Sequence, residues 1–402
     1  MPSVISPMLR SSDERRTTLH DHLAWWGLRH FTSDPEYFAW QRQHLSSDEL
    51  AQLARLAEQK CEGSRADEIA FYDRTASPTI FPVLYSQRYE YYEELGCRVC
   101  GLLGSAEAIL DFGCGPGILT TFYARQFPDK TFVGLDRSRA SIELAQHMAG
   151  ELGVANIRFE CVDAEADALS GCYDLVIATH VLMQAEHDPG LPSLSWQTFE
   201  RGHDPPQQSS FEQRTGLGVR LDRVCEVLRP HGRMIVSEKT RQLSRRVPFQ
   251  RALSRRGFDL VGPPALVHYR TIEEAVDDGP LFLVHRGFQT SSSWDERPER
   301  DDGPPFVQDM AHSVSDPEKP LCENHWPSAQ GVWEELQDRV VVHETTRQEP
   351  DGRQVHVERG TSGDFSYLYC ANTFDQRQVV IDKRARSAMI DAYYQEIIRG
   401  LP

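Results

Sequence analysis

One stretch, residues 109–136, reading ILDFGCGPGILTTFYARQFPDKTFVGLD, limits what this chain can fold into more than any other. Residues 109–112 are a short apolar run closed by glycines, the pattern of a strand buried on both faces. Gly113, Gly115 and Gly117 follow at once. They let the backbone turn sharply and leave room for a ligand where a Cβ would stand. Residues 119–127 read as a helix that Pro128 stops, and its first N–H groups point back into the turn. Residues 131–135 form the next strand. Asp136 then stands at its carboxyl end, where an acid accepts hydrogen bonds from both hydroxyls of a ribose.

The turn reads GCGPG, with Asp111 before it, and so departs from the GxGxxG of dinucleotide-binding folds. Together with Asp136 it resembles the first and second motifs of the class I S-adenosylmethionine-dependent methyltransferases. Three more stretches extend the resemblance. Residues 157–162 read as a strand ending at Asp163, residues 173–178 (YDLVIA) as a buried strand ending at Thr179-His180, and VLRPHGRMIVSE (227–238) resembles the family's usual entry to the fifth strand. Polar residues at three successive strand ends, Asp136, Asp163 and Thr179, are where a doubly wound sheet binds its ligand.

The resemblance implies an α/β fold: a Rossmann-like seven-stranded methyltransferase sheet with helices on both faces. It implies S-adenosyl-L-methionine as cofactor and S-adenosyl-L-homocysteine as product. It places Asp111, Gly113, Gly115, Gly117, Asp136, Arg137, Asp163, Ala164 and Thr179 around that cofactor, with Asp163 at the adenine. Tyr85 and Arg88, just upstream of the first strand, then face its methionine portion. A packed amphipathic helix accounts for Tyr85, Arg88, Tyr89 and Tyr92 equally well.

Organisation follows from composition shifts. Residues 1–94 read as an N-terminal helical lid or substrate region after a polar lead. The core spans 95–288, with 189–218 as an insertion loop rich in Pro, Gly, Gln and Ser. Residues 289–330 form a polar, Pro-rich linker. Residues 331–402 form a small C-terminal α+β domain, an antiparallel sheet with a closing helix. RVVVHETTR and QVHVERGT alternate apolar and polar residues around an Asp351-Gly352 hairpin signal. A sheet of that size needs a packing partner, either the methyltransferase core or the same domain of a second subunit, and of the two a homodimer is the expected state.

The formal net charge of −17 repels phosphate backbones, so nucleic acid is not an expected partner. No apolar run approaches the twenty residues of a membrane span, and the first residues carry no secretory pattern. Nine scattered cysteines, an odd number, suit free thiols in a reducing cytoplasm. Cys97 and Cys100 form CRVC without a second pair at zinc spacing, which suits core packing.

Methyl transfer needs a base only when the acceptor must lose a proton. His180 follows the fourth strand, where acceptors enter, and is the candidate base. Glu238, at the end of the fifth strand, is the candidate for orienting an amine or hydroxyl; the plainer reading is a salt bridge with Lys239 or Arg241. The (D/N/S)PPY sequence of base-N-methylating enzymes is replaced by ATHVL, and no Pro-Cys stands where pyrimidine-methylating enzymes keep a nucleophile. His180, His187, Asp188, His203 and Asp204 match no compact ligand spacing, so no metal is expected. The reading is a methyltransferase acting on a small-molecule acceptor at O, N, S or C, in specialised metabolism. Two alternatives stay open: a peptide or protein acceptor docked by the C-terminal domain, and a non-catalytic cofactor-binding scaffold.

Overall fold

The computed structural model describes residues 12–62, 64–184, 188–272, 275–287, 294–298, 306, 319–349 and 352–400. The chain divides into two compact units, one from Met1–Asp188, Glu212–Arg241 and Gln250–Trp294, the other from Pro189–Phe211, Gln242–Phe249 and Asp295–Pro402.

The first unit is built on an eight-stranded sheet. Its strands are β1 Ala108–Phe112, β2 Thr131–Asp136, β3 Ile157–Cys161, β4 Tyr173–Thr179, β5 Leu228–Ser237, β6 Phe258–Leu260, β7 Ala265–Arg270 and β8 Ala275–Arg286. The order is β3-β2-β1-β4-β5-β8-β6, with β7 paired to β8. Strands β1 to β5 run parallel, and β8 is antiparallel to β5. The chain winds outward from β1 to β3 and then returns to lay β4 on the other side of β1. The carboxyl ends of β1 and β4 therefore flank a topological switch point. The apolar runs that suggested buried strands are buried: Ile109, Leu110, Leu175, Val176 and Ala178 have no exposed surface. The helix Tyr89–Leu102 packs Leu95 and Val99 into the same core as Ile109 and Phe122.

Seven strands were expected, and β7 is the eighth. Its six residues alternate weakly in burial and follow Pro263 and Pro264, which read as a break. Strand β8 also begins at Ala275 instead of Pro280. Asp278-Gly279 lies inside it as an irregularity in the pairing with β7, where a turn would have been read. The stretch 189–218, expected as a loop, holds the helix Pro205–Arg214 and the start of the helix Leu217–Val227. Its polar composition hides them, since only Gln208 and Phe211 of the first helix are buried.

The second unit contains a five-stranded antiparallel sheet of β9 Cys322–His325, β10 Arg339–Gln348, β11 Gln354–Ser362, β12 Phe365–Asn372 and β13 Arg377–Lys383, in the order β10-β11-β12-β13-β9. Successive side chains take opposite faces. Tyr367, Tyr369, Val379 and Ile381 meet Ala329 and Val332 of the helix Trp326–Glu335. Val357, Leu368 and Val380 meet Ile390 and Tyr394 of the helix Ser387–Gly400. Strand β9 and the helix after it lie partly within residues read as linker. Four residues, CENH, carry too little periodicity to be recognised alone. Segment 189–211 is tied into this unit: Ser193 donates its N–H to the Thr373 carbonyl at 2.7 Å, and Arg201 pairs with Asp375. Asp351 of the hairpin signal, His187 of the loose His/Asp group and the polar lead 1–11 lie outside the described residues.

Candidate active site

At the end of β1 the three glycines all have positive φ, 76°, 55° and 81° for Gly113, Gly115 and Gly117. They differ in what surrounds them. A Cβ on Gly113 would lie 2.3 Å from Cγ2 of Val181, and one on Gly117 2.8 Å from the Phe159 ring. A Cβ on Gly115 would meet no atom within 4 Å. The first and third glycines therefore serve packing, while the middle one opens onto free space. The helix Ile118–Gln126 starts directly after Gly117.

Asp136 holds this turn in place. Gly115 donates its N–H to Oδ2 at 2.9 Å, and Ser138 donates to Oδ1 at 2.8 Å. Burial pushes the carboxyl above its usual range, opposed by those two donors and by the charge of Arg137. Asp111 is buried beneath the turn, where it accepts from the Thr120 hydroxyl at 2.5 Å; burial raises its carboxyl to about 6. Asp111 thus anchors the helix behind the turn through Thr120.

The helix Arg65–Thr75 covers the ends of β2 and β3. Arg65 lies 3.2 Å from Asp163, Glu68 pairs with Arg137, and Asp73 accepts from the Ser138 hydroxyl at 2.7 Å and from the Ala140 N–H at 3.2 Å. Arg223 donates to the Ala164 carbonyl at 3.3 Å. Arg65, Glu68 and Asp73 were not foreseen in the sequence. Their spacing puts them on one helix face, but nothing local says what that face meets.

Beyond β4 a second polar group converges. His180 has φ 54°, in the left-handed region of the backbone. Arg88 donates to His180 Nδ1 at 2.9 Å, and Asp278 Oδ2 lies 3.0 Å from Nε2. Tyr269 donates its hydroxyl to Asp278, Tyr91 stacks on the imidazole at 5.1 Å between centroids, and Arg88 sits 4.5 Å over the Tyr91 ring. An arginine only donates, so Nδ1 holds the lone pair and Nε2 carries the proton, close to the Asp278 charge but not aligned with it as a hydrogen bond. Burial holds the imidazole below its ordinary value; Asp278 opposes this and Arg88 reinforces it. Burial would raise Asp278, but His180, Tyr269 and Arg88 bring it down to about 2. Burial pushes the Tyr91 phenol up to about 12, while Arg88 and Thr179 oppose it. Tyr85 is raised chiefly by burial, and lies in the same cluster as Tyr92.

Glu238 faces the other side of that turn. It is buried and accepts from the N–H groups of Val181 and Leu182 at 2.8 and 2.6 Å. Burial raises it to about 7. No contact with Lys239 or Arg241 is needed to explain it; it fixes the backbone that carries His180. Thr179 closes β4 opposite Ser237 in the parallel ladder. Asp278 and Tyr269 escaped sequence reading because they come from the β7–β8 hairpin. The DDG stretch that re-aims Asp278 was the available signal.

Residues 103–255 match the family described as a methyltransferase domain. Over that stretch the chain carries a methyltransferase domain, similar to those of the class I S-adenosylmethionine-dependent enzymes. The sheet order, the glycine turn and Asp136 agree with it. The chain is 42% identical over 98 residues to the ubiquinone biosynthesis O-methyltransferase of Pectobacterium atrosepticum, which is 24% of this chain and 38% of that protein. It is 34% identical over 94 residues to the trans-aconitate 2-methyltransferase of Deinococcus radiodurans, 23% of this chain and 34% of that protein. The chain therefore spans little more than a third of these curated relatives. The solved magnesium protoporphyrin IX methyltransferase of Synechocystis with bound SAH aligns over 62% of this chain and 99% of its own, at 15% identity and a TM-score of 0.35. Ahead of the matched stretch, Cys97 is half-buried and Cys100 buried on the helix Tyr89–Leu102, as core packing requires. Among the described residues no helix is long and apolar enough to cross a membrane.

Proposed function

We propose that this chain transfers a methyl group from S-adenosyl-L-methionine to an oxygen atom of a small molecule. The observation that carries the proposal is Gly115, whose missing Cβ opens onto free space beside the Asp136 carboxylate at the switch point. That is the space a nucleoside with no pyrophosphate requires. The cofactor, when bound, supplies an electrophilic methyl on a sulfonium and leaves as a neutral thioether.

The chain's own residues bind, orient and exclude water. Each Asp136 oxygen takes one backbone N–H and keeps a lone pair for a ribose hydroxyl. Asp163 and Ala164 close the adenine side under the helix Arg65–Thr75, which keeps water from the strand ends. Arg88, His180 and Asp278 form the acceptor side. Arg88 and Asp278 balance in charge, so the imidazole between them stays neutral and Nδ1 is the basic atom. An acceptor oxygen that displaces the Arg88 N–H from Nδ1 gives its proton to that nitrogen as the new C–O bond forms. Arg88 is then free to stabilise the oxygen's charge. Asp278 keeps Nε2 protonated and the ring in register, and Glu238 holds the backbone that positions it.

The test is turnover of radiolabelled S-adenosylmethionine against fractionated small-molecule extracts, with Gly115→Ala and Asp136→Ala as controls. Labelled product from the native chain, none from Gly115→Ala and a reduced yield from Asp136→Ala at limiting cofactor supports the proposal. Failure of the native chain to bind S-adenosylhomocysteine in calorimetry would sink it.

A further inference from the structure

The second unit contains a cluster that methyl transfer does not use. Strand β11 places His356 and Glu358 two residues apart, hence on one face, and β10 places Glu344 directly opposite Glu358. One ligand atom from each of these three side chains falls within 4.8 Å of the others. Carboxylates directly opposite one another in an antiparallel pair repel, so this pairing destabilises the sheet unless a cation stands between them.

Each buried group is oriented as though around such a cation. His356 is 2% exposed, and its Nε2 is buried with no hydrogen-bond partner. Its other nitrogen, Nδ1, lies 2.8 Å from the Thr346 hydroxyl, and the Trp196 ring stacks on the imidazole at 3.6 Å with an interplanar angle of 1°. An Nδ1–H donated to Thr346 leaves the Nε2 lone pair free, the arrangement in which histidine binds a metal. Glu358 is 5% exposed and its two oxygens are treated differently. Oε1 accepts from the Tyr367 hydroxyl and, at 3.3 Å, from the Trp333 indole N–H. Oε2 faces His356 Nε2 at 3.5 Å. That separation is long for a hydrogen bond. It equals the spacing of two ligands about 2.1 Å from a shared ion at roughly tetrahedral angles, about 3.0–3.5 Å. Glu344 is exposed and forms the entry side.

We propose that Glu344, His356 and Glu358 bind a divalent first-row transition metal in the second unit. One imidazole with two carboxylates favours zinc, cobalt or manganese over calcium and magnesium, which take oxygen donors throughout. The neighbouring Trp333, Tyr367 and Thr346 hold the ligands in place. The single cues were present in the sequence, but not at compact ligand spacing, because pairing across β10 and β11 brings them together.

The test uses the full chain without an affinity tag, stripped by chelation and titrated with Co2+ and then Zn2+, followed by calorimetry and visible absorption. One equivalent of Co2+, displaced by Zn2+, with no thiolate charge-transfer band, is expected. Glu344→Gln, whose side chain is exposed, should weaken binding roughly tenfold or more with an unchanged circular dichroism spectrum. His356→Gln should abolish it. No stoichiometric binding, a thiolate band that puts the ion on cysteine, or native affinity in Glu344→Gln would each overturn the proposal.

Discussion

Replacing Gly115 with alanine separates a ligand-facing glycine from a structural one. Gly115 has φ 55° and no atom within 4 Å of a built Cβ. The folded protein therefore bears only the left-handed strain of an L-residue, about 1–2 kcal/mol. For a unit of this size that lowers the melting temperature by about 2–8 °C. Gly113→Ala carries the same strain plus a Cβ placed 2.3 Å from Cγ2 and 2.6 Å from Cβ of Val181. Overpacking of that kind adds about 1–3 kcal/mol. Binding responds in a different order. S-adenosylhomocysteine at a hundred times its Kd stabilises the native protein by about 2.7 kcal/mol. In Gly115→Ala the methyl fills the space kept for the ligand, so that stabilisation should vanish while the fold survives. Thermal melts of both variants, with and without S-adenosylhomocysteine, measure both effects. If Gly115→Ala keeps the native ligand-induced shift, or melts as low as Gly113→Ala, the assignment of the open glycine to the cofactor is wrong.

Three further outcomes are expected. Asp136→Ala removes the acceptor for the ribose and the anchor of the Gly115 N–H, and calorimetry should show S-adenosylmethionine binding weakened by about 1–3 kcal/mol. Glu238 is raised from 4.5 to about 7 by burial, so the folded chain prefers it protonated. Its stabilisation is complete below pH 4.5 and is lost as pH rises to 7, by up to about 3 kcal/mol; urea melts across that window should show the loss in the native chain and not in Glu238→Gln. Asp278→Asn leaves His180 Nε2 beside an amide instead of a carboxylate, and kcat should fall about tenfold or more with the Kd for S-adenosylhomocysteine nearly unchanged. An equal loss of cofactor binding would make Asp278 a structural residue only.

The glycine turn and the acid that holds it were legible because their signals are local. Gly113, Gly115, Gly117 and Asp136 lie within one strand-turn-helix-strand unit, and the turn that joins them is set by residues adjacent in the chain. Asp163 and Thr179 were legible for a related reason: buried parallel strands are apolar, so the first polar residue after each run marks its end. The cluster around His180 was only half legible. His180 announced itself at the end of β4, but its partners Arg88, Tyr91, Tyr269 and Asp278 come from a helix before the sheet and a hairpin at its far edge.

The chain's local motifs and periodicity therefore determined the class of fold, the glycine turn at the end of β1 and the antiparallel character of the C-terminal sheet. Tertiary structure alone decided three things. It put Glu238 under the His180 turn, where two backbone N–H groups fix it. It set Nδ1 of His180 against Arg88 and Nε2 against Asp278, which determines the tautomer. It brought Glu344 opposite Glu358 with His356 alongside, through the register of β10 on β11. The physical reason is common to all three. Local conformation is governed by neighbouring residues, whereas strand register and helix placement depend on burial summed over the whole core. Those long-range choices decide which polar groups share a dry space.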